Sequence, residues 1–325
     1  MKYDVCGIGN ALVDMEFSVS DEFITSNGIE KAGMTLVDEA RQVELMTALG
    51  GNMPERQCGG SAANTIIAVS QFGGNSFYQF KVANDEGGKF YLADMKENGV
   101  GTSNEESNLA AGVTGKCMVM VTPDAERTMN TYLGITETLS DAQVSEAAIK
   151  DSKWLYMEGY LVTSPTGHAA ALKAKAIAEA NGVKTALTFS DPAMVQFFAD
   201  QMKALVESGL DLVFCNEVEA MQFTGAADIP AAKEALKAVA KGFVITLGDK
   251  GAVAWDGEKF YDIVANTVEA KDTNGAGDMF AGAFLYGITN GMDYAQAGAL
   301  ASKSASQVVS KFGPRLTRDQ AQSLL

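Results

Sequence analysis

Asp272-Thr273-Asn274-Gly275-Ala276-Gly277-Asp278 runs directly into the apolar-periodic stretch Met279-Phe280-Ala281-Gly282-Ala283-Phe284-Leu285. A glycine-rich turn that opens a helix aims free backbone N–H groups, and the positive end of the helix dipole, at one point in space. Such a cradle suits an anion. A carboxylate at its mouth, Asp278, repels the anion unless it stands to one side and handles a proton. Glycine amides holding negative oxygens, beside an aspartate that takes the proton of an attacking hydroxyl, spell phosphoryl transfer. An acidic residue in a first turn also stabilises a helix with no chemistry at all. The reading therefore needs support from other segments.

A second glycine segment supplies some. Gly59-Gly60-Ser61-Ala62-Ala63-Asn64 leads into a helical run over 65–72 and closes on Gly73-Gly74. The glycine pair permits close backbone approach, and Asn64, one turn in, offers both a donor and an acceptor.

The elements that must position these groups alternate in type beyond residue 150. β-type runs at 154–157, 185–189, 210–214 and 243–247 are separated by helical ones. One helix is capped by Ser164 with Pro165 in its first turn and ends near Asn181-Gly182, and another covers 231–240. Alternation of this kind predicts an α/β fold with a mostly parallel sheet covered on both faces, its ligands bound beyond the carboxyl ends of the strands. Those ends carry Glu158-Gly159, Ser190-Asp191, Asn216-Glu217-Val218-Glu219 and Gly248-Asp249-Lys250-Gly251. The first third differs. Residues 4–15 read as one buried strand, and short β-leaning segments follow at 16–19, 33–37, 116–121 and 128–133, the last two joined as a hairpin through a type I turn at Thr122-Pro123-Asp124-Ala125. Strands inserted around 16–37 and 112–135 suggest a small β-sheet lid, which a kinase needs because water is a competing nucleophile.

Composition narrows the function. The chain has 325 residues and a net charge of -16, and 47% of its residues are hydrophobic, an ordinary globular balance without the basic footprint of a nucleic-acid binder. A small phosphate ligand remains compatible, since local dipoles and a bound cation hold it. Cys6, Cys58, Cys117 and Cys215 are scattered, and the N-terminus shows no apolar h-region, so a reduced, cytoplasmic protein is expected. The lone histidine, His168, leaves nothing from which to build a histidine triad or zinc site. Gly7-Ile8-Gly9-Asn10 hints at a dinucleotide fingerprint, but position 12 is leucine and the run continues as β-type, which argues against a nucleotide-dependent oxidoreductase. No Gly-x-x-x-x-Gly-Lys-Ser/Thr occurs. A non-catalytic sugar-binding protein on the same scaffold is the other alternative.

Taken together, Gly59 to Asn64 and Asp272 to Leu285 resemble the two signatures of the ribokinase family of carbohydrate and nucleoside kinases, also called the PfkB family. The resemblance follows the chain in order nearly throughout, departing at Ile66, where the family has small residues. It implies a three-layer α/β/α core as a single kinase domain, with ATP and magnesium required and potassium a further candidate. It assigns Asp278 as catalytic base and Gly275, Ala276 and Gly277 as the anion hole. Asp14, Gly59, Gly60 and Asn64 become sugar contacts, with Glu158 and Arg127 as further substrate ligands. Asn216 and Glu219 match an Asn-x-x-Glu motif acting on magnesium through water. Thr246, Gly248, Lys250 and Gly251 match the loop along ATP, and Asp272 and Thr273 a monovalent-cation site. Residues 123–134 and 312–315 are most similar to bacterial adenosine-kinase-like members, which implies a nucleoside acceptor whose base is covered by Met15, Phe17, Tyr132 or Leu133, with a free sugar as the alternative. A monomer or homodimer is expected, with no nucleic-acid or membrane partner.

Overall fold

The computed structural model describes residues 1–50, 55–124 and 126–325, and of Glu55 the backbone alone. The described residues form thirteen strands: β1 (Tyr3–Ile8), β2 (Leu12–Ser18), β3 (Met34–Leu36), β4 (Glu55–Gly59), β5 (Ser76–Gln79), β6 (Gly115–Val121), β7 (Arg127–Tyr132), β8 (Ser152–Glu158), β9 (Lys184–Thr188), β10 (Leu210–Asn216), β11 (Ala240–Thr246), β12 (Ala252–Trp255) and β13 (Phe260–Ile263). Eight make the large sheet, in the order β13-β12-β11-β10-β9-β8-β1-β5, and five make a second sheet, β3-β7-β6-β2-β4.

Alternation along each central strand divides the core in two. Val5, Tyr156, Phe214 and Val244 face one buried cluster, whereas Cys6, Ile8, Leu155, Met157, Val213, Cys215, Phe243 and Ile245 face the other. Both faces are therefore apolar, as a parallel sheet sandwiched by helices requires. Helices Ser61–Gln71, Ala276–Thr289 and Tyr294–Val309 pack together over the first face, and Pro165–Ala180 covers the second. The architecture is the expected mixed α/β one, with a large, mostly parallel sheet and a smaller second sheet.

Three sequence expectations need correction, and the mostly parallel sheet carries one further detail. Residues 4–15 are not one strand: the chain leaves the large sheet after Ile8 and enters the second at Leu12. The groups between are satisfied by side chains instead of a ladder, with Glu158 accepting from the Asn10 amide, Thr136 Oγ1 accepting from the Ala11 amide, and Tyr78 donating to the Asn10 carbonyl. The helix expected over 231–240 runs from Ile229 to Leu236, and Ala240 already begins β11. The parallel sheet gains an antiparallel edge, β11-β12-β13, which helix–strand alternation does not announce. Finally, the second sheet is larger than the segments 16–37 and 112–135, because β2 begins at Leu12 and β4 pairs along it. The hairpin of β6 and β7 forms as expected, although its turn includes Ala125, outside the described residues.

Candidate active site

The Ala276–Thr289 helix starts without a side-chain cap. Gly275 precedes it with φ of 73°, and a Cβ there would lie 2.4 Å from Pro314 Cβ, so only glycine fits on both counts. Among the described residues the amides of Gly275, Gly277 and Asp278 meet no acceptor, leaving three donors at one helix end. The Ala276 amide differs from expectation: it is turned back on the Thr273 carbonyl at 3.3 Å. Gly277 is bare in the other direction, since a Cβ there would meet no protein atom within 4 Å.

Asp278 sits in the first turn of the same helix, and its two oxygens are held separately. Ser61 Oγ donates to Oδ1 at 2.6 Å, and Asn64 Nδ2 donates to Oδ2 at 3.0 Å. Both donors lie on the Ser61–Gln71 helix, which packs against the Ala276–Thr289 helix. Burial pushes the Asp278 carboxyl up to about 6, against the pull of those two donors and of the Arg315 guanidinium. It is a carboxylate poised to gain or lose a proton near neutrality.

Asp14, from β2, faces it across a cavity of about 310 Å³ that Asn64, Glu158 and Asp278 also line. Its carboxyl rests on the Gly59 backbone, where a Cβ would lie 2.2 Å from Oδ1, and no hydrogen-bond donor among the described residues engages it. Burial raises the Asp14 carboxyl to about 7, opposed by the charges of Arg315 and Arg127. An acceptor group this poorly satisfied suits ligand hydroxyls. Glu158, at the carboxyl end of β8, is fully buried and bridges two backbone amides, Asn10 at 2.6 Å and Ala62 at 2.8 Å. Burial lifts it to about 7 despite those bonds.

The second sheet supplies the apolar wall of this cavity through Leu12, Met34, Val119, Met129 and Leu133. Of the residues expected to cover a base, only Leu133 lines it. Met15 and Phe17 alternate with Asp14 along β2 and point to the sheet's far face, into the first of the two buried clusters. Tyr132 stands beside Glu39, also away from the cavity. Strand parity decides this: with Asp14 facing in, its immediate neighbours face out.

A second cavity, of about 400 Å³, lies on the other side of the cradle. Thr246, Gly248 and Gly251 line it as expected, together with Asn266, Phe280 and Ser302, which spacing alone did not single out. Lys250 does not. It ends a turn of 3-10 helix and borders a shallow neighbouring groove with Asp262 and Val264. Gly277 lines both cavities, Gly275 and Asp278 the first, Ala276 and Thr273 the second. The glycine turn is the junction between the two cavities.

The remaining expected groups stand apart from both cavities. Asn216 and Glu219 form a reciprocal helix cap, in which Asn216 Oδ1 accepts from the Glu219 amide at 2.9 Å and the Glu219 carboxylate accepts from the Asn216 amide and Nδ2. Burial raises Glu219 to about 7. With both carboxylate oxygens already engaged, the pair fits a cation reached through water and not one bound directly. Arg127 is ion-paired, at 3.0 Å to Glu16 and 2.8 Å to Asp272, and lines neither cavity. Asp272 also accepts from the Asn274 and Gly313 amides. Its carboxylate thus already holds a cation in the guanidinium, which does not fit a potassium ion at the same oxygens. Among the described residues there is no cluster of three or more histidine, cysteine or acidic side chains that could hold a metal, and no helix is long and apolar enough to cross a membrane.

Sequence reasoning missed Ser61 and Arg315 as parts of the site, and Tyr160 and Asp191 on its wall. A hydroxyl directly after Gly59-Gly60 was a usable signal for Ser61, and the polar end of β9 one for Asp191. Arg315 gave none.

Comparison with known proteins identifies the family and the fold. The pfkB family carbohydrate kinase model matches residues 29–321. Adenosine kinase of Saccharomyces cerevisiae is 27% identical over 94% of this chain and 95% of its own, and ribokinase of Haemophilus influenzae is 29% identical over 78% and 82%. Among solved structures, a probable sugar kinase from Rhizobium etli superposes with a TM-score of 0.91 at 34% identity, covering 100% of this chain and 99% of its own. Adenosine kinase from Sinorhizobium meliloti superposes with a TM-score of 0.91 at 35% identity over 99% of each chain. Two ligand cavities meeting at a glycine cradle, with a carboxylate beside it, are carried on the fold these kinases share, and the chain belongs to the pfkB family of carbohydrate kinases.

Proposed function

We propose that this protein is an ATP-dependent kinase that phosphorylates the primary hydroxymethyl of a ribose-containing acceptor, a nucleoside such as adenosine. The observation that carries the reading is the position of Gly277, whose backbone borders both cavities while Asp278 faces only one. ATP lying in the larger cavity would put its terminal phosphate at the cradle, and an acceptor in the smaller one would put a hydroxyl beside Asp278.

In the transfer the hydroxyl oxygen forms a bond to the γ-phosphorus, and the bond from phosphorus to the β–γ bridging oxygen breaks. Asp278 takes the hydroxyl proton, and ADP leaves with the electron pair. The amides of Gly275, Gly277 and Asp278 stabilise charge on the transferred group. Asp14 orients the ring hydroxyls, and the second sheet acts as the lid that excludes water. Bound magnesium would neutralise phosphate charge, and Asn216 and Glu219, already engaged with each other and outside both cavities, would reach it only through its water shell. The apolar second-sheet wall, opposite the polar Asp14, Asn64 and Glu158, supports a nucleoside over a free sugar. The adenosine kinases among the similar proteins support it too.

The test is catalytic efficiency on adenosine, inosine, ribose and fructose with ATP and magnesium, alongside Asp278→Asn. Adenosine is expected to exceed ribose by about tenfold or more, since stacking of a base contributes about 1–3 kcal/mol. Asp278→Asn is expected to lose roughly a hundred- to ten-thousand-fold in turnover with little change in acceptor affinity. Ribose or fructose matching adenosine overturns the nucleoside assignment, and near-normal turnover of Asp278→Asn overturns the mechanism.

A further inference from the structure

Three consecutive residues near the C-terminus touch the site from behind. The Gly313 amide donates to Asp272 Oδ2 at 2.9 Å. Pro314 packs against Gly275 so tightly that the cradle's first residue has no room for a Cβ. Arg315, only 10% exposed, spreads its guanidinium over three partners: Nε donates to Asn64 Oδ1 at 2.7 Å, Nη1 to Asp94 at 2.7 Å, and Nη2 to the Cys58 carbonyl.

The first of these contacts bears on the chemistry. An amide can be turned over, exchanging its oxygen and nitrogen at little steric cost, and turned over Asn64 would present an oxygen to the Asp278 carboxylate. A guanidinium has donors only, so it accepts one orientation of its neighbour. With Asn64 Oδ1 held by Arg315, Nδ2 must point at Asp278, where it donates at 3.0 Å. Asp94, on the Glu86–Glu97 helix, and the β4 carbonyl fix the guanidinium in turn.

We propose that Arg315 is a positioning residue for phosphoryl transfer: it locks the Asn64 amide so that Asp278 is held, ionised, at the angle from which it takes the acceptor proton. The proposal rests on the reading of Asp278 as the base. The titratable groups facing Asp278 are Asp14 from β2, Glu158 and Tyr156 from β8, Tyr160 beyond it, and Tyr78 from β5, none of them cationic. Arg315 is the one positive charge that acts on Asp278. Its loss therefore removes an orientation and a charge together.

Arg315→Gln, Arg315→Lys and Asp94→Asn, measured in single turnover with ATP, magnesium and adenosine, separate these effects. On the alkaline plateau Arg315→Gln is expected to lose about ten- to a hundredfold in rate, with both KM values changed less than about threefold. Its acid limb should move up by about one pH unit, because a neighbouring cation has gone. Arg315→Lys keeps the charge but not the planar fork, so its limb should stay near the wild-type position while its rate still falls. Asp94→Asn loses the same ion pair but keeps the contact to Asn64, and should lose clearly less rate than Arg315→Gln, with its acid limb near the wild-type position. If Arg315→Gln fails to fold, the split between limb and rate in Arg315→Lys carries the test alone. A loss confined to KM, equal losses in Arg315→Gln and Asp94→Asn, or normal rates in Arg315→Lys overturn the proposal. Normal Arg315 variants with a dead Asp278→Asn would sink only this inference, whereas an active Asp278→Asn would sink the base assignment itself.

Discussion

Asp278 works at the edge of two demands, being buried enough to be basic near neutrality and bonded enough to stay ionised. Its carboxyl sits at about 6, so the base form is lost as pH falls through that value. Single-turnover rate should accordingly fall about tenfold per unit below pH 6 and level off above it; a profile flat to pH 5 would show that another group takes the proton. At Gly277 the argument is one of empty space. A methyl there meets no protein atom beyond its own helix and chain neighbours, so Gly277→Ala should fold with nearly unchanged melting temperature, while crowding the proposed phosphate site that Gly277 borders. We expect a loss of about a hundredfold in turnover, as for removal of an oxyanion contact, and equal activity of the variant would empty the cradle of its role. These residues were legible because they are contiguous: a glycine turn and its aspartate announce themselves within one motif. The partners of Ser61 and Arg315 were not, because they lie 217 and 251 positions away and only folding joins them.

Between elements, Glu158 is the bracket. It stands at the end of β8 and holds the amide where β1 gives out, at Asn10, and the amide of Ala62 at the start of the Ser61–Gln71 helix. Burial raises it from an unfolded value of about 4.3 to about 7, so the folded protein binds this proton more tightly than the unfolded chain does. Its contribution to stability is accordingly greatest in acid and is lost as pH rises between those two values. Glu158→Gln removes this titration but turns a donor toward one of the two amides, so it should be less stable than wild type near pH 5, with the deficit shrinking by on the order of 1–3 kcal/mol near pH 8, while losing activity. Urea unfolding at the two pH values checks the slope, and a difference between variant and wild type that does not change with pH contradicts it. The central strands β8 to β11 were readable from their apolar runs and intervening helices. The β1–β2 break was not, because residues on either side of Gly9–Ala11 are equally apolar and the signal to leave the sheet comes from Glu158 and Thr136, far along the chain.

Over the whole molecule, the second sheet touches the cradle loop through Arg127 and Asp272, an ion pair with the carboxylate fully buried. Removing the guanidinium strands that charge with two backbone donors. Arg127→Ala should cost at least about 2 kcal/mol in stability and raise the acceptor KM more than it lowers the rate, because the lid is no longer tied to the cradle. A variant as stable as wild type would mean that the pair is idle. The net charge of -16 showed nothing of this, since the positive charges that matter are single and buried.

The chain passes between the two sheets four times, and three of the passages, beside Asn10, Gly60 and Leu133, border the acceptor cavity. Most pivots of a movement of one sheet against the other are therefore parts of the acceptor's own berth. Stiffening those crossings to make a hardier protein would be felt at once as altered selectivity, and a molecule that wedges them apart would disable the catalyst without resembling either of its ligands.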